Sequence, residues 1–236
     1  AADPTATVRV VIVTMDNHLA SATDRARATL AKQIPGLSLN MHTAAEWGSG
    51  PSALERCVAD IARGDIVINT MLFMDDHIQA VLPALQARRA HCDAMIGCMS
   101  AGEVSRLTRM GRFDMDAKQS GAMAWLKKLR PKPKAGDNSS SGAKQMRMLR
   151  RLPKILRFIP GAAQDLRAYF LTLQYWLCGS EENVVNMVRM LVDRYADGPR
   201  RALRGTLKHE MPLEYPEVGV YHPCLPTRIA ELADKL

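Results

Sequence analysis

The sequence predicts an α/β fold: a parallel sheet with helices on both faces, followed by a mainly helical segment. Three observations predict it. Apolar, β-branched runs alternate four times with stretches of helical periodicity between residues 8 and 100. The turns between them are short, so each helix is the crossover that returns the chain to the same end of the sheet. Beyond residue 101 the apolar spacing becomes mainly helical, interrupted by one stretch rich in Pro, Gly and Ser.

The elements follow in order. "VRVVIVTM" (8–15) is a buried strand, and the segment after it places Leu19, Ala22, Ala26, Leu30 and Ile34 on one helical face until Pro35-Gly36 ends it. "LSLNMHT" (37–43) alternates like a strand, and "SALERCVADIARG" reads as a helix closed by Gly64. A strand at 65–73, a helix over "DDHIQAVLPALQARRA" and a strand at 92–100 complete a flavodoxin-like pattern. "AGEVSRLTRMGRFDM" and "QSGAMAWLKKL" then read as helical. "RPKPKAGDNSSSGAK" has the composition of a flexible linker. Next comes a basic helix at 143–159 with an apolar stripe through Met146, Leu149, Leu152, Leu156 and Ile159 and a kink expected at Pro153. Helices are expected at about 162–177 and 181–196. A proline-rich tail runs into what reads as a further helix. The division is 1–130 for the α/β domain, 131–142 for the linker and 143–236 for the helical segment.

Composition narrows the function classes. Apolar residues make up 47% of the 236, enough for a full core. Aromatics are only 5% against 14 Met, which argues for adaptable apolar surfaces and against stacking on single-stranded nucleic acid. The formal charge of +8 is local: residues 123–160 hold 11 Lys/Arg and one Asp, and the parts on either side are each at −1. With no helix-turn-helix or comparable reading motif, that segment does not make a nucleic-acid binder. It could rest on an acidic partner or anionic lipid, or be a linker helix with one face on the core. Five widely spaced cysteines, at 57, 92, 98, 178 and 224, contain no CxxC pair and read as reduced thiols of a cytoplasmic protein. No transmembrane segment and no leader pattern are expected.

Candidate site residues gather where strands end. Neither a lysine phosphate loop nor GxGxxG follows the first strand. Instead "TMDNHL" and "TMLFMDDHI" place Met15, Asp16, Asn17 and His18, then Met71, Phe73, Met74, Asp75, Asp76 and His77, at the carboxyl edge. Open α/β sheets bind ligands along that edge. The acids and Asn17 also sit where caps of the following helices belong, so capping competes with ligand binding as their role. Glu103 is either a ligand or an acidic helix start. Arg106, Arg109 and Arg112 are expected on one helical face, able to grip a carboxylate or simply solvated. At "QYWLCGSEENVV", Tyr175 and Trp176 require burial, Gly179 permits a reversal and Ser180 caps a new helix. Glu181, Glu182 and Asn183 are left exposed there for a partner or ligand. No spacing defines metal ligands, and no catalytic residue is assigned.

"LTLQYWLCGSEENVVNMVRMLVDRY" resembles the conserved segment of the cobaltochelatase and magnesium-chelatase large-subunit superfamily, a Tyr-Trp, Gly-Gly, Ser-x-Glu-Asn run before a helix. "VVIVTMDNHL", "INTMLFMDDHI" and "CMSAGEVSRLTRMGRFDM" are similar to the N-terminal region of the magnesium-chelatase H subunit. Position 178 is Cys where the family pattern shows Gly. The resemblance implies a porphyrin-binding subunit that takes protoporphyrin IX and Mg2+ while an AAA+ motor pair, the I and D subunits, hydrolyses ATP. It further implies that this chain is a substrate-access or subunit-docking part joined to the remainder of the H subunit, with no cofactor of its own assured. The strand pattern alone also allows a free-standing flavodoxin-like binding or regulatory module.

Overall fold

A computed structural model describes residues 7–116, 153, 156, 157, 159, 161–214, 219–221 and 229–231. The linker at 131–142, the helix expected over 119–129 and most of the basic helix expected at 143–159 lie outside the described residues.

Four parallel strands form the centre of a six-stranded sheet ordered β2-β1-β3-β4-β5-β6. They are β1 (Val8–Thr14), β2 (Leu37–Thr43), β3 (Ile66–Thr70) and β4 (Ala94–Cys98). Every residue of β3 and β4 is buried, as expected of strands covered on both faces. The crossovers are α1 (Ala20–Gln33), α2 (Pro51–Arg63) and α3 (Asp75–Arg89), with a 3₁₀ stretch, Ala44–Ser49, ahead of α2. The order 2-1-3-4 is that of a flavodoxin-like sheet, with its switch point between β1 and β3.

The edge beyond β4 departs from expectation. The helix read over 101–115 is a single turn, α4 (Gly102–Ser105), followed by an antiparallel hairpin of β5 (Arg109–Met110) and β6 (Phe113–Asp114). Arg106, Arg109 and Arg112 therefore share no helical face. Gly111 supplies the physical reason: it opens a two-residue turn at φ +56, the glycine-first geometry that suits a hairpin. Thr108 fastens the hairpin's entry. Its hydroxyl accepts from the Gly97 N–H at 2.9 Å and donates to the Gly97 carbonyl at 3.2 Å. Gly97 leaves room for this, because a Cβ there would strike the Val104 backbone.

The two faces of the sheet are covered by different means. Val11, Val13, Val67 and Met95 pack against Cys57 and Ile61 of α2 and against Ile78, Val81 and Leu85 of α3. On the other face α1 can cover only β1 and β2, the strands it connects. The remaining cover comes from α5 (Ala162–Cys178) and α6 (Glu181–Tyr195), whose Leu171, Tyr175, Val188 and Leu191 join Ile12, Ile68 and Ile96 in one core. These two helices, placed by the sequence in the 143–236 segment, share the core of the sheet. A strap from Leu207 to Leu213 then runs along α6. It is held by Asp193 at the Leu207 N–H, by Asn186 at the Glu210 N–H and by Asn183 at Leu213. Residues 229–231, expected in a closing helix, are instead strand β8 (Ile229–Glu231), paired antiparallel with β7 (Gly219–Tyr221).

Candidate functional site

Parallel register brings the carboxyl ends of the strands level. Thr43 pairs with Thr14, Thr14 with Thr70 and Thr70 with Cys98, so one buried row of small polar side chains crosses the sheet. Among the described residues the hydroxyls of Thr14 and Thr43 and the Asn69 side-chain oxygen find no hydrogen-bond partner. Such unpaired buried groups are uncommon and costly inside a fold. Burial pushes the Cys98 thiol up to about 12, so it stays protonated and takes no nucleophilic role.

Two chain segments leave this row. After β1, Met15 is half-buried, and the Asp16 carboxylate accepts from both the backbone N–H and the ring of His18. The bond from the His18 side chain is the main reason the Asp16 pKa lies below its ordinary value. Asn17 is exposed and its carbonyl accepts from Ala20 at 2.9 Å. The N-cap of α1 is Leu19 and that of α3 is Met74, neither with a side-chain cap bond. The capping role expected for Asp16, Asn17, Asp75 and Asp76 is thus corrected. Asp16 and Asp76 turn back on neighbouring histidine groups, because α1 begins too far along the chain and α3 begins at the acids themselves; Asp76 accepts from the His77 N–H.

After β3, Met71 adopts φ +58, and beside it, after β4, Met99 adopts φ +47. The Met71 N–H donates to the Met99 carbonyl at 2.9 Å. Left-handed backbone at a residue with a side chain is strained, and here two such residues sit side by side at the ends of adjacent strands. Leu72 is fully buried and anchors the turn, its N–H donating to Ser100 Oγ and its carbonyl accepting from Ala101. Phe73 and Met74 are consequently thrown outward, 53% and 52% exposed. Glu103 is exposed on α4.

The structure does not draw all the candidates together. His18 lies edge-on to Trp176 of α5, ring centroids 5.5 Å apart, while His77 lies edge-on to Trp47 at 5.8 Å. Trp176 belongs to the α1/α5/α6 core and Trp47 packs on the α2/α3 core, so the two imidazoles lean to opposite faces. Among the described residues, no three His, Cys, Asp or Glu side chains are grouped to hold a metal ion. No helix among them is long and apolar enough to cross a membrane.

The junction between α5 and α6 is firmer than the sequence suggests. Ser180 accepts from the Asn183 N–H at 3.3 Å, as an N-cap does, while its own φ of +75 follows Gly179 at +64. Asn183, expected to be exposed, is only 1% exposed: its amide donates to the Leu213 carbonyl at 2.9 Å and accepts from the Leu213 N–H at 2.8 Å. Glu181 accepts from Arg25 at 3.2 Å and Thr29 at 3.0 Å, fastening α6 to α1. Glu182 is the exposed member of the three.

Sequence reasoning misses the opposite edge altogether. Asp65, 3% exposed, accepts from the Arg9 N–H at 2.9 Å and faces Arg200 at 3.3 Å. Arg200 also grips Asp93 through Nε at 3.1 Å and Nη2 at 3.0 Å. Arg200 lies in a Gly/Pro/Arg stretch with no periodicity. Its only sequence signal is the isolated acid before each of β3 and β4.

These features define a three-layer α/β domain of the open, doubly wound kind, with an apolar and partly strained carboxyl edge suited to contact with another molecule or chain segment. The chain belongs to the family described as "Domain of unknown function (DUF3479)", which it matches over residues 9–170. It is 50% identical over 220 residues to the magnesium-chelatase H subunit of Cereibacter sphaeroides and 48% identical over 227 residues to that of Rhodobacter capsulatus. Those alignments take in 93% and 96% of this chain but only 18% and 19% of the relatives. The chloroplastic magnesium-chelatase ChlH protein of Oryza sativa subsp. indica is 30% identical over 180 residues, 75% of this chain and 12% of that protein. The resemblance to magnesium-chelatase H subunits read from the sequence is borne out, and the chain spans about one fifth of their length.

Proposed function

We propose that this chain is the N-terminal part of the porphyrin-binding subunit of an ATP-dependent magnesium chelatase, and that it serves there as a substrate-access or subunit-docking domain. The observation that carries the reading is identity of about one half to two bacterial H subunits along nearly the whole chain. Mg2+ holds its water tightly and protoporphyrin IX must lose two protons, so insertion needs a site that strips water and an outside source of energy. On this reading the I and D subunits, an AAA+ motor pair, supply the energy through ATP, and the remainder of the H subunit supplies the insertion chemistry. The pathway leads to chlorophyll or bacteriochlorophyll in the cytoplasm or its plastid equivalent.

Within that assembly the contact surface is the carboxyl edge, where Phe73 and Met74 stand exposed beside Met15, Met71 and His18. Methionines with one aromatic ring and polar tips suit a flat amphipathic ligand or an apolar protein surface. Replacing Met71, Phe73 and Met74 with Ser in a full-length H subunit should weaken porphyrin quenching or the docking of this domain while the fold survives. Unchanged titration together with unchanged domain contacts would reject the surface. The isolated chain should yield no Mg-protoporphyrin fluorescence above a protein-free control, even with ATP and both motor proteins.

A further inference from the structure

A cavity of about 660 Å3 opens at the amino edge of the sheet, away from the carboxyl-edge surface. The β5–β6 turn, the first turn of α5, the end of α6 and the segment after it form its walls. Each carboxylate in those walls is already matched. Asp165 accepts from the Tyr195 hydroxyl at 2.9 Å and the Arg112 backbone N–H at 2.9 Å, with Arg194 at 3.5 Å. Asp93 is held by Arg200 through two bonds, and Asp197 faces Arg204 at 3.5 Å. Two guanidinium groups lining the same cavity are left over. Among the described residues Arg109 donates only to neutral carbonyls, those of Arg89 at 3.0 Å and of Cys92. The Arg112 side chain is exposed and has no partner among the described residues.

We propose that this cavity binds an oxyanion, a carboxylate or phosphate group on a small ligand, through Arg109 and Arg112. Guanidinium forks match the planar edge of either anion. The volume lies within the range of small-molecule sites. The site stands on its own observations and is independent of the chelatase reading.

Calorimetric titration of this chain at low ionic strength, with inorganic pyrophosphate in one arm and succinate in the other, tests it. Saturable binding of one equivalent is expected, with Kd raised at least tenfold by Arg112→Gln and less by Arg112→Lys, which keeps the charge and loses the fork. Arg25→Gln, on α1, should leave Kd unchanged. Tighter binding of pyrophosphate assigns a phosphate-bearing ligand, and tighter binding of succinate a carboxylate. Because the Arg112 side chain has no partner among the described residues, circular dichroism of its variants should match the parent. Absence of saturable heat with both anions, or a Kd indifferent to Arg112→Gln, overturns the proposal.

Discussion

The two ends of the same parallel strands are built on opposite principles. At the amino edge, the carboxylates of Asp65 and Asp93, just ahead of β3 and β4, share Arg200, which lies 107 residues beyond Asp93, and Asp65 also faces Arg88 at 3.7 Å. At the carboxyl edge the strands finish in unpaired hydroxyls, two left-handed methionines and two exposed apolar side chains. One end is held together by charge beside a cavity, and the other ends in exposed apolar side chains at some cost in strain. In a doubly wound sheet the carboxyl end is where ligands and partners ordinarily meet the fold, so the two ends offer different chemistry outward, charge at one and apolar surface at the other.

The amino edge should break hardest. Arg200→Ala leaves Asp93 without its two-bond partner and Asp65 with only the more distant Arg88, at 3.7 Å; removing one partner of a buried ion pair costs roughly 3–5 kcal/mol, and Arg88 should hold the loss at the lower end of that range. Thermal or urea unfolding of the variant measures it. The effect should depend on pH in a defined direction. Burial, the largest cause, raises the Asp65 pKa despite the Arg9 N–H and Arg200. The folded state therefore favours the protonated acid: that contribution to stability is fully present below the unfolded pKa of about 3.9 and is lost as pH rises through the raised value. Acidification towards pH 4 should accordingly narrow the gap between variant and parent, and a gap that widens would contradict the placement of Asp65.

Gly111→Ala tests the hairpin that walls the amino-edge cavity. An added Cβ would lie 2.8 Å from the Asp165 carboxylate, at a residue whose φ is +56. The left-handed backbone alone costs a non-glycine residue about 1–2 kcal/mol, and the crowding of Asp165 adds to it. A loss of stability well under 1 kcal/mol would mean the turn relaxes freely.

What the sequence makes legible follows from how local each interaction is. The four strands and three crossover helices are legible because burial on both faces and helical periodicity are written in consecutive residues. The Ser180 cap is legible for the same reason, since its partner lies three residues away. The role of Asn183 is not, because both its bonds go to Leu213, 30 residues on. Strands of two residues carry no period, so β5 and β6 read as part of a helix, although "MGRF" holds the Gly-first turn that could reveal the hairpin. The carboxyl-edge candidates are placed correctly along the strands. That His18 and His77 turn to opposite faces depends on Trp176 and Trp47, which no local pattern links to them.

The α5–α6 junction gives a smaller and more discriminating effect. Ser180→Ala should cost about 1 kcal/mol as a lost cap, whereas Ser180→Gly should cost only a few tenths. The φ of +75 at this position sharpens the difference, since glycine alone takes it without strain. Equal losses from the two variants, measured by urea unfolding, would remove the cap and the backbone conformation from the explanation of this junction.

The smallest stability effect belongs to the open edge. Phe73 and Met74 project beyond a turn already anchored by Leu72, whose side chain is fully buried and whose backbone is bonded to Ser100 and Ala101. Met71 is best left intact, because its strained backbone is part of the turn. Phe73→Ser with Met74→Gln, which adds no serine cap at the start of α3, should therefore change unfolding free energy by no more than about 0.5 kcal/mol, as surface substitutions away from packed or bonded features do. Exposed apolar side chains that contribute so little to folding are the ones expected to act on something outside the domain. A loss of several kcal/mol from this pair would show that both side chains pack within the chain, and the carboxyl edge would then have no apolar surface to offer.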